Sequence, residues 1–353
     1  MQLPDLRNFD LKGKRVLVRC DYDVPLRFAQ GKPQIDDDSR ILASLPTIQY
    51  LLSQNAKIIL LAHLGRPEGE VKEEFSLKPV AEKLHELLPS TNFKFEIFPP
   101  KADQSLADNF QSDVVLLENL RFDKGEEENP STSSGLKFAQ ELASLGDFYV
   151  NDAFAVSHRE HASIVGLPKL LPHAAGFQLQ KEVSMLSGAF ENPRRPVVLL
   201  LGGAKEDKLK IIPGFLSWVD RILIGGYLPV LIEKQPDLVV KDQKVEIGTL
   251  SENQLDLDLA TIEKFSQALE KAGTVIWVGP LGKVEESEGV NSTKTIAQVL
   301  SGINALKIGG GGDTEAALTK LNLLGSMDYI STGGTAMLEF LAYHQLPGIE
   351  ALQ

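Results

Sequence analysis

The sequence predicts an α/β protein of two doubly wound, parallel-sheet (Rossmann-like) lobes joined by a connecting helix. Three observations carry this. The chain has 353 residues, longer than one hydrophobic core usually grows. Apolar, β-rich runs alternate with helix-like stretches from one end to the other, as parallel strands with crossover helices require. The alternation pauses once, near residues 166–196, where GLPKLLPHAAGFQLQKEVSMLSGAFENPRRP reads as a helix with proline breakers on either side.

Taken in order, the first half gives strand RVLVRCDYDV, helix SRILASLPTIQYLLSQ, strand KIILLAHL, helix SLKPVAEKLHELL, strands FKFEIF and DVVLLENL, helix SSGLKFAQELASL and strand DFYVNDAF. These strands are nearly continuously apolar, which suits a sheet covered on both faces. The second half gives strands VVLLLGGA, RILIGG, TVIWVGP, LKIGGGG and MDYISTGG, each followed by helix-like sequence. The expected division is a first lobe over 1–176, a connecting helix over 177–192, a second lobe over 193–338 and a tail over 339–353.

Composition is that of an ordinary soluble globular protein, 43% hydrophobic and 24% charged. A net charge of −12 argues against nucleic acid as the main partner, because phosphate-binding surfaces of that size need excess Lys and Arg. Small anions remain compatible with it if the cations gather in a cleft. The first ten residues carry charges and no apolar run, and no stretch long enough to span a membrane occurs, so neither a signal peptide nor a membrane span is expected. The single cysteine, Cys20, lies in an apolar run and reads as a buried strand thiol in a cytoplasmic protein.

Four strand-to-turn junctions of the second half are rich in glycine: LLLGGAKEDKLK, ILIGGYLP, LKIGGGGDTEAAL and YISTGGTAMLEFL. Ligands of open α/β sheets bind beyond the carboxyl ends of the strands, where glycine lets backbone N–H groups approach phosphate oxygens and a helix start adds positive charge. In the turn Gly309–Gly312, Thr314 is an expected N-cap and Asp313 an alternative Mg²⁺ holder through a nucleotide. Lys205 and Lys208, three apart, are expected to share a helix face. No GxxxxGK[ST] and no clean GxGxxG is present, so P-loop NTPases and simple dinucleotide-dependent oxidoreductases lose ground.

In the first half Arg40, His63, Arg66, Arg121, His158, Arg159 and His161 all fall at predicted strand ends, where arginine forks suit carboxylate and phosphate. The two histidines complete no zinc spacing. The acidic run Glu126–Glu128 reads as a solvated loop before the helix start STSSG.

In that order, KRVLVRCDYDVPL, DDDSRILASLPTIQYLL, AHLGRP, SLKPVAEKL, LLENLRFDKGEEEN, NDAFAVSHREHAS, LLGGAKEDKLK, IGGGGDTEAAL and ISTGGTAMLEFL resemble the phosphoglycerate kinase family over nearly the whole chain. The resemblance implies reversible phosphoryl transfer in glycolysis between 1,3-bisphosphoglycerate and ADP, giving 3-phosphoglycerate and ATP, with Mg²⁺, by a cytoplasmic monomer acting on neither nucleic acid nor membrane. It implies a glycerate site of Asp21, Asp23, Arg40, His63, Leu64, Gly65, Arg66, Arg121 and Arg159, and a nucleotide site of Lys208, Glu285 (ribose), Gly311, Gly312, Asp313 and Thr314. Asp313 would hold Mg²⁺ through the nucleotide, and Arg40 and Lys205 would flank the transferring group. It further implies lobes that close about the connecting helix and a tail, LPGIEALQ, that returns to the first lobe.

The chain departs from the family's pattern at Asp23, where Asn is usual, at Tyr227 in place of a third glycine, and at Val278 in place of Asn. GGAKEDK is one residue short. Between Gly226 and a helix beginning near Thr261 lie only about 34 residues, which predicts that a helix and part of the sheet are missing from the second lobe. The alternative reading is a catalytically weakened homologue that binds phosphoglycerate or nucleotide.

Overall fold

A computed structural model describes residues 1–29, 32–96 and 112–353. The end of the strand expected from FKFEIF, Ile97 and Phe98, lies outside the described residues. Two compact units are present, one of Met1–Glu182 with Leu346–Gln353, the other of Val183–Gln345. The division falls inside the helix Phe177–Glu191. The segment returning to the first unit starts at Leu346 and not at 339, because Gly334–Tyr343 is a helix of the second unit. There Phe340 meets Phe190 edge to face with 5.7 Å between ring centroids.

In the first unit β1 (Arg15–Arg19), β4 (Lys57–Leu61), β5 (Phe93–Glu96), β6 (Val114–Leu117), β7 (Phe148–Asn151) and β8 (His173–Ala175) form a parallel sheet in the order β5-β6-β4-β1-β7-β8. A separate hairpin pairs β2 (Leu26–Ala29) with β3 (Lys32–Ile35). The chain leaves β1 toward β4, and β7 later takes the other side of β1, so the order of connection reverses beside β1. Ligands of open sheets bind at such a reversal. Val16, Val18, Ile58, Leu60, Val114, Leu116 and Val150 are all buried in one core with Ile41, Ile48 and Leu51 of the helix Ser39–Ser53. Thr132 caps the helix Ser133–Ala143 by accepting from Gly135 N at 3.2 Å, which is why the helix starts at STSSG.

In the second unit the order is β11-β10-β9-β12-β13-β14, built from β9 (Val197–Leu201), β10 (Arg221–Ile224), β11 (Val245–Ile247), β12 (Thr274–Val278), β13 (Leu306–Gly310) and β14 (Tyr329–Ser331). All pairings are parallel, and every residue of β9 and β12 is buried. The reversal here lies between β9 and β12. The sheet has six strands, and after Gly226 the chain forms a helix of seven residues, Leu228–Lys234, a short 3₁₀ turn at Pro236–Leu238 and an edge strand of three.

Candidate active site

At the reversal of the first sheet, the turns after β1, β4, β6 and β7 bring one set of polar side chains together. Asp21, 9% exposed, accepts from Arg40 Nη1 at 2.8 and 3.0 Å and so fixes the guanidinium at the start of its helix. Asp23 Oδ1 accepts from Gly65 N at 2.8 Å. Gly65 has φ +62°, and a methyl group there would collide with the Phe75 ring, so the turn AHLGRP needs glycine at this position. Arg121 Nη1 donates to Gly65 O at 2.8 Å and the same guanidinium lies 3.1 Å from Glu127, while Asn119 Nδ2 donates to Leu64 O at 2.7 Å. The turn that carries His63 is therefore clamped from both sides.

His63 is buried, and burial first, then the nearby Arg19, Arg121, His161 and Arg40, hold its pKa well below the ordinary histidine value. Burial and Arg121 likewise bring His161 down to about 3, and burial and Arg159 bring His158 to about 4. Both are neutral donors or acceptors at neutral pH. Arg66 and Arg159 are exposed and, among the described residues, neither pairs with a carboxylate. This is a set of directed donors and uncompensated guanidinium charge, suited to an anion with several oxygens.

Leu64 packs its side chain into the core and gives its carbonyl to Asn119, which holds the turn. Asp23 Oδ2 lies 4.0 Å from His63 Nε2, and its charge also acts on Arg121. Glu126 is not solvated: it is fully buried and receives Ser163 N at 3.0 Å and Ser163 Oγ at 2.6 Å, with Arg19 3.5 Å away. Arg19, inside an apolar strand run, is the residue the sequence reading passed over.

At the reversal of the second sheet, the glycine turns touch one another. Gly203 N donates to Pro280 O at 2.7 Å, Gly202 N to Val278 O at 2.8 Å and Tyr227 N to Gly203 O at 2.9 Å. Gly226 has φ +61° and abuts the Gly203 backbone. Gly226→Ala is expected to cost more than about 1 kcal/mol, from left-handed strain plus that collision. Urea denaturation checks it, and an unchanged midpoint would show that the turns can separate.

Lys205 and Lys208 do not share a face. Lys205 is 76% exposed with Nζ 3.7 Å from Asp313 Oδ2, whereas Lys208 turns inward and donates to Gly202 O at 2.8 Å. Their separation follows from a helix of only four residues, Asp207–Lys210, which leaves Lys205 outside it. Burial pulls Lys208 down to about 8, opposed by Asp313 and helped by Lys205. A bound phosphate favours the charged amine, so nucleotide affinity is expected to be steady near neutrality and to fall as pH rises through about 8 with proton uptake on binding. Calorimetric titration in two buffers of different ionisation enthalpy measures this; an affinity unchanged to about pH 9 would contradict it.

Gly311, with φ +88°, caps the helix Gly312–Lys320. Thr314 is not the cap: it is buried, its hydroxyl donates to Gly310 O at 2.7 Å and accepts from Gly279 N at 2.7 Å. With Trp277 Nε1 donating to Gly279 O at 2.8 Å, the Gly279 turn is pinned against this helix start. Asp313 stays exposed at the helix start, and Glu285 is exposed and makes no contact among the described residues. Among the described residues no group of three or more His, Cys, Asp and Glu could hold a metal ion.

Two sheet ends thus each present phosphate-type donors. The family model for phosphoglycerate kinase matches residues 6–252 and 230–344. The chain belongs to the phosphoglycerate kinase family. It is 38% identical over 403 residues to the phosphoglycerate kinase of Thermosipho africanus, covering 100% of this chain and 98% of that one, and 39% identical over 394 residues to that of Moorella thermoacetica, covering 98% of each. Solved phosphoglycerate kinases from Coxiella burnetii (TM-score 0.78, 32% identity, 99% of each chain) and Pyrococcus horikoshii (TM-score 0.83, 28% identity, 99% and 98%) share the architecture.

The phosphoglycerate kinase model matches in two pieces that overlap at 230–252, beyond the Gly226 turn, where the sequence reading placed the shortening. The Thermosipho alignment also runs longer than the 353 residues of this chain, so that relative carries segments absent here.

Proposed function

We propose that the chain acts in glycolysis, transferring a phosphoryl group reversibly between 1,3-bisphosphoglycerate and ADP to give 3-phosphoglycerate and ATP. The observation that carries this is the pair of donor sets, one at each sheet reversal, in a member of this family. The first unit binds 3-phosphoglycerate through Asp21, Asp23, Arg40, His63, Leu64, Gly65, Arg66, Arg121 and Arg159. The second binds nucleotide phosphates through Lys208, Gly311 and Gly312, with Glu285 toward the ribose and Thr314 holding the Gly279 turn in place. The helix Phe177–Glu191, which carries the chain from one unit into the next, serves as the hinge.

Phosphoryl transfer is catalysed chiefly by positioning and by charge placed on the equatorial oxygens. Arg40, held by Asp21, supplies that charge from the glycerate side and Lys205 from the nucleotide side. The exposed Asp313 suits Mg²⁺ brought in on nucleotide phosphates, where the ion would neutralise phosphate charge. The chain works as a cytoplasmic monomer without nucleic acid or membrane, in keeping with its net charge of −12. Among the described residues no helix is long and apolar enough to cross a membrane.

Calorimetry on the full chain separates the two assignments. Arg121→Ala should lose 3-phosphoglycerate binding and keep ADP binding, and Lys208→Met should do the reverse. Loss of both ligands in either variant, or of neither, would contradict the division.

A further inference from the structure

The buried group beneath the glycerate site has a fixed direction of hydrogen bonding. Arg19, at the end of β1, is 0% exposed. Its Nη1 donates to Cys20 O at 2.6 Å, its Nε to Ser163 Oγ at 2.8 Å, and its Nη2 lies 3.1 Å from His63 Nδ1 and 3.5 Å from Glu126 Oε1. The Ser163 hydroxyl proton goes to Glu126 Oε1 at 2.6 Å, and Glu126 Oε2 accepts Ser163 N at 3.0 Å. Glu126 therefore fixes Ser163 as an acceptor toward Arg19, and Nε, Nη1 and Nη2 of the guanidinium each have a partner.

A guanidinium has donors only. His63 Nδ1 must therefore carry a lone pair, since a proton there would set two donors against each other at 3.1 Å. The one ring proton is left on Nε2, on the side of Asp23 Oδ2 and the turn after β1. Arg19 itself has no exposed surface and cannot reach a ligand.

We infer that Arg19, seated by Glu126 and Ser163, is a positioning residue that fixes His63 as the neutral Nε2–H tautomer and so presents the glycerate site with a hydrogen-bond donor. This rests on the reading of that site as the glycerate site. The groups facing His63 are Arg19 from β1, Asp23 from the following turn, Arg40 from the helix start, Arg121 from the turn after β6, and His161 from the turn after β7. Asp23, at 4.0 Å and half exposed, favours the imidazolium, against burial and three guanidinium groups. The donor therefore persists through the range in which a free histidine titrates.

The test is nitrogen-15 NMR of the histidine rings in the full chain, with His63→Gln assigning the signal. The expected spectrum has a pyridine-type Nδ1 and a pyrrole-type Nε2 for His63, unchanged between about pH 8 and about pH 5. An Nδ1–H tautomer, a mixture, or titration near the free value overturns the inference. A second arm uses the double variant Arg19→Met, Glu126→Gln, which removes both buried charges together. Its His63 should titrate, its KM for 3-phosphoglycerate should rise about tenfold and become pH-dependent, and its kcat and KM for ATP should change little. A single tautomer with a flat KM profile in that variant overturns the positioning role. If the variant does not fold, the parent spectrum decides. Failure of the functional reading is distinct, because the parent would then not bind 3-phosphoglycerate at all while its His63 signal would stay as described.

Discussion

Lys205→Ala is expected to lower kcat by about 10²–10³-fold while leaving the thermal midpoint within about 1 °C of the parent. The two halves of this result have separate causes. Lys205 is 76% exposed and its one ion pair, 3.7 Å from an Asp313 that is 67% exposed, is screened by solvent and adds little to stability. No packing is lost with the side chain. In the role proposed for Lys205, what is lost is a cation acting on oxygens whose charge is redistributed only as the phosphoryl group moves, so the effect belongs in kcat more than in KM. Steady-state kinetics beside a melting curve reads both. A rise in KM with kcat unchanged would make Lys205 a ground-state binding residue.

The largest stability change is expected at Glu126→Ala, a loss of about 3–5 kcal/mol. Burial already raises the pKa of this carboxyl in spite of Arg19 and Ser163. Removing the carboxylate leaves the Arg19 guanidinium buried without a counter-charge and strips Ser163 of the acceptor for both its N–H and its hydroxyl. Chemical denaturation measures the change. A loss under about 1 kcal/mol would mean that water enters beneath the site and solvates Arg19.

What the sequence made legible followed from local pattern. The strands of both sheets announce themselves as apolar runs because helices cover both faces, and β9 and β12 are buried at every position. The sheet-edge strands β8 and β11, three residues each in HAA and VEI, are too short to carry such a run. Turns rich in glycine pointed to the second sheet's reversal, and positive φ at Gly203, Gly226 and Gly311 accounts for three of them. Direction was not legible: Lys205 and Lys208 look equivalent in GGAKEDK, yet only a four-residue helix and the Gly202 carbonyl decide which one turns inward. Thr314 looked like a cap, and its hydroxyl is spent tying the helix start to Gly279.

Glu126 was the hardest residue to place. Three consecutive acidic residues before a serine-rich helix start have the pattern of a solvated loop, and the Arg19 that draws one of them inside stands 107 positions earlier in a different element. A single arginine interrupting an apolar strand was the available signal, since a cation in a sheet interior requires a buried anion. Pairing at that distance in sequence is a property of the fold and not of either local pattern.

With the shortened stretch after Gly226, the second unit still has a six-stranded sheet with its glycine turns, and phosphoryl transfer is expected to proceed. The measurement that tests this most directly is ATP formation by the full chain from 1,3-bisphosphoglycerate and ADP with Mg²⁺, followed in a coupled assay beside Arg40→Ala. Turnover in the parent that is lost by about 10²-fold or more in the variant is the predicted result. A parent that binds 3-phosphoglycerate and ADP and forms no ATP would contradict the account.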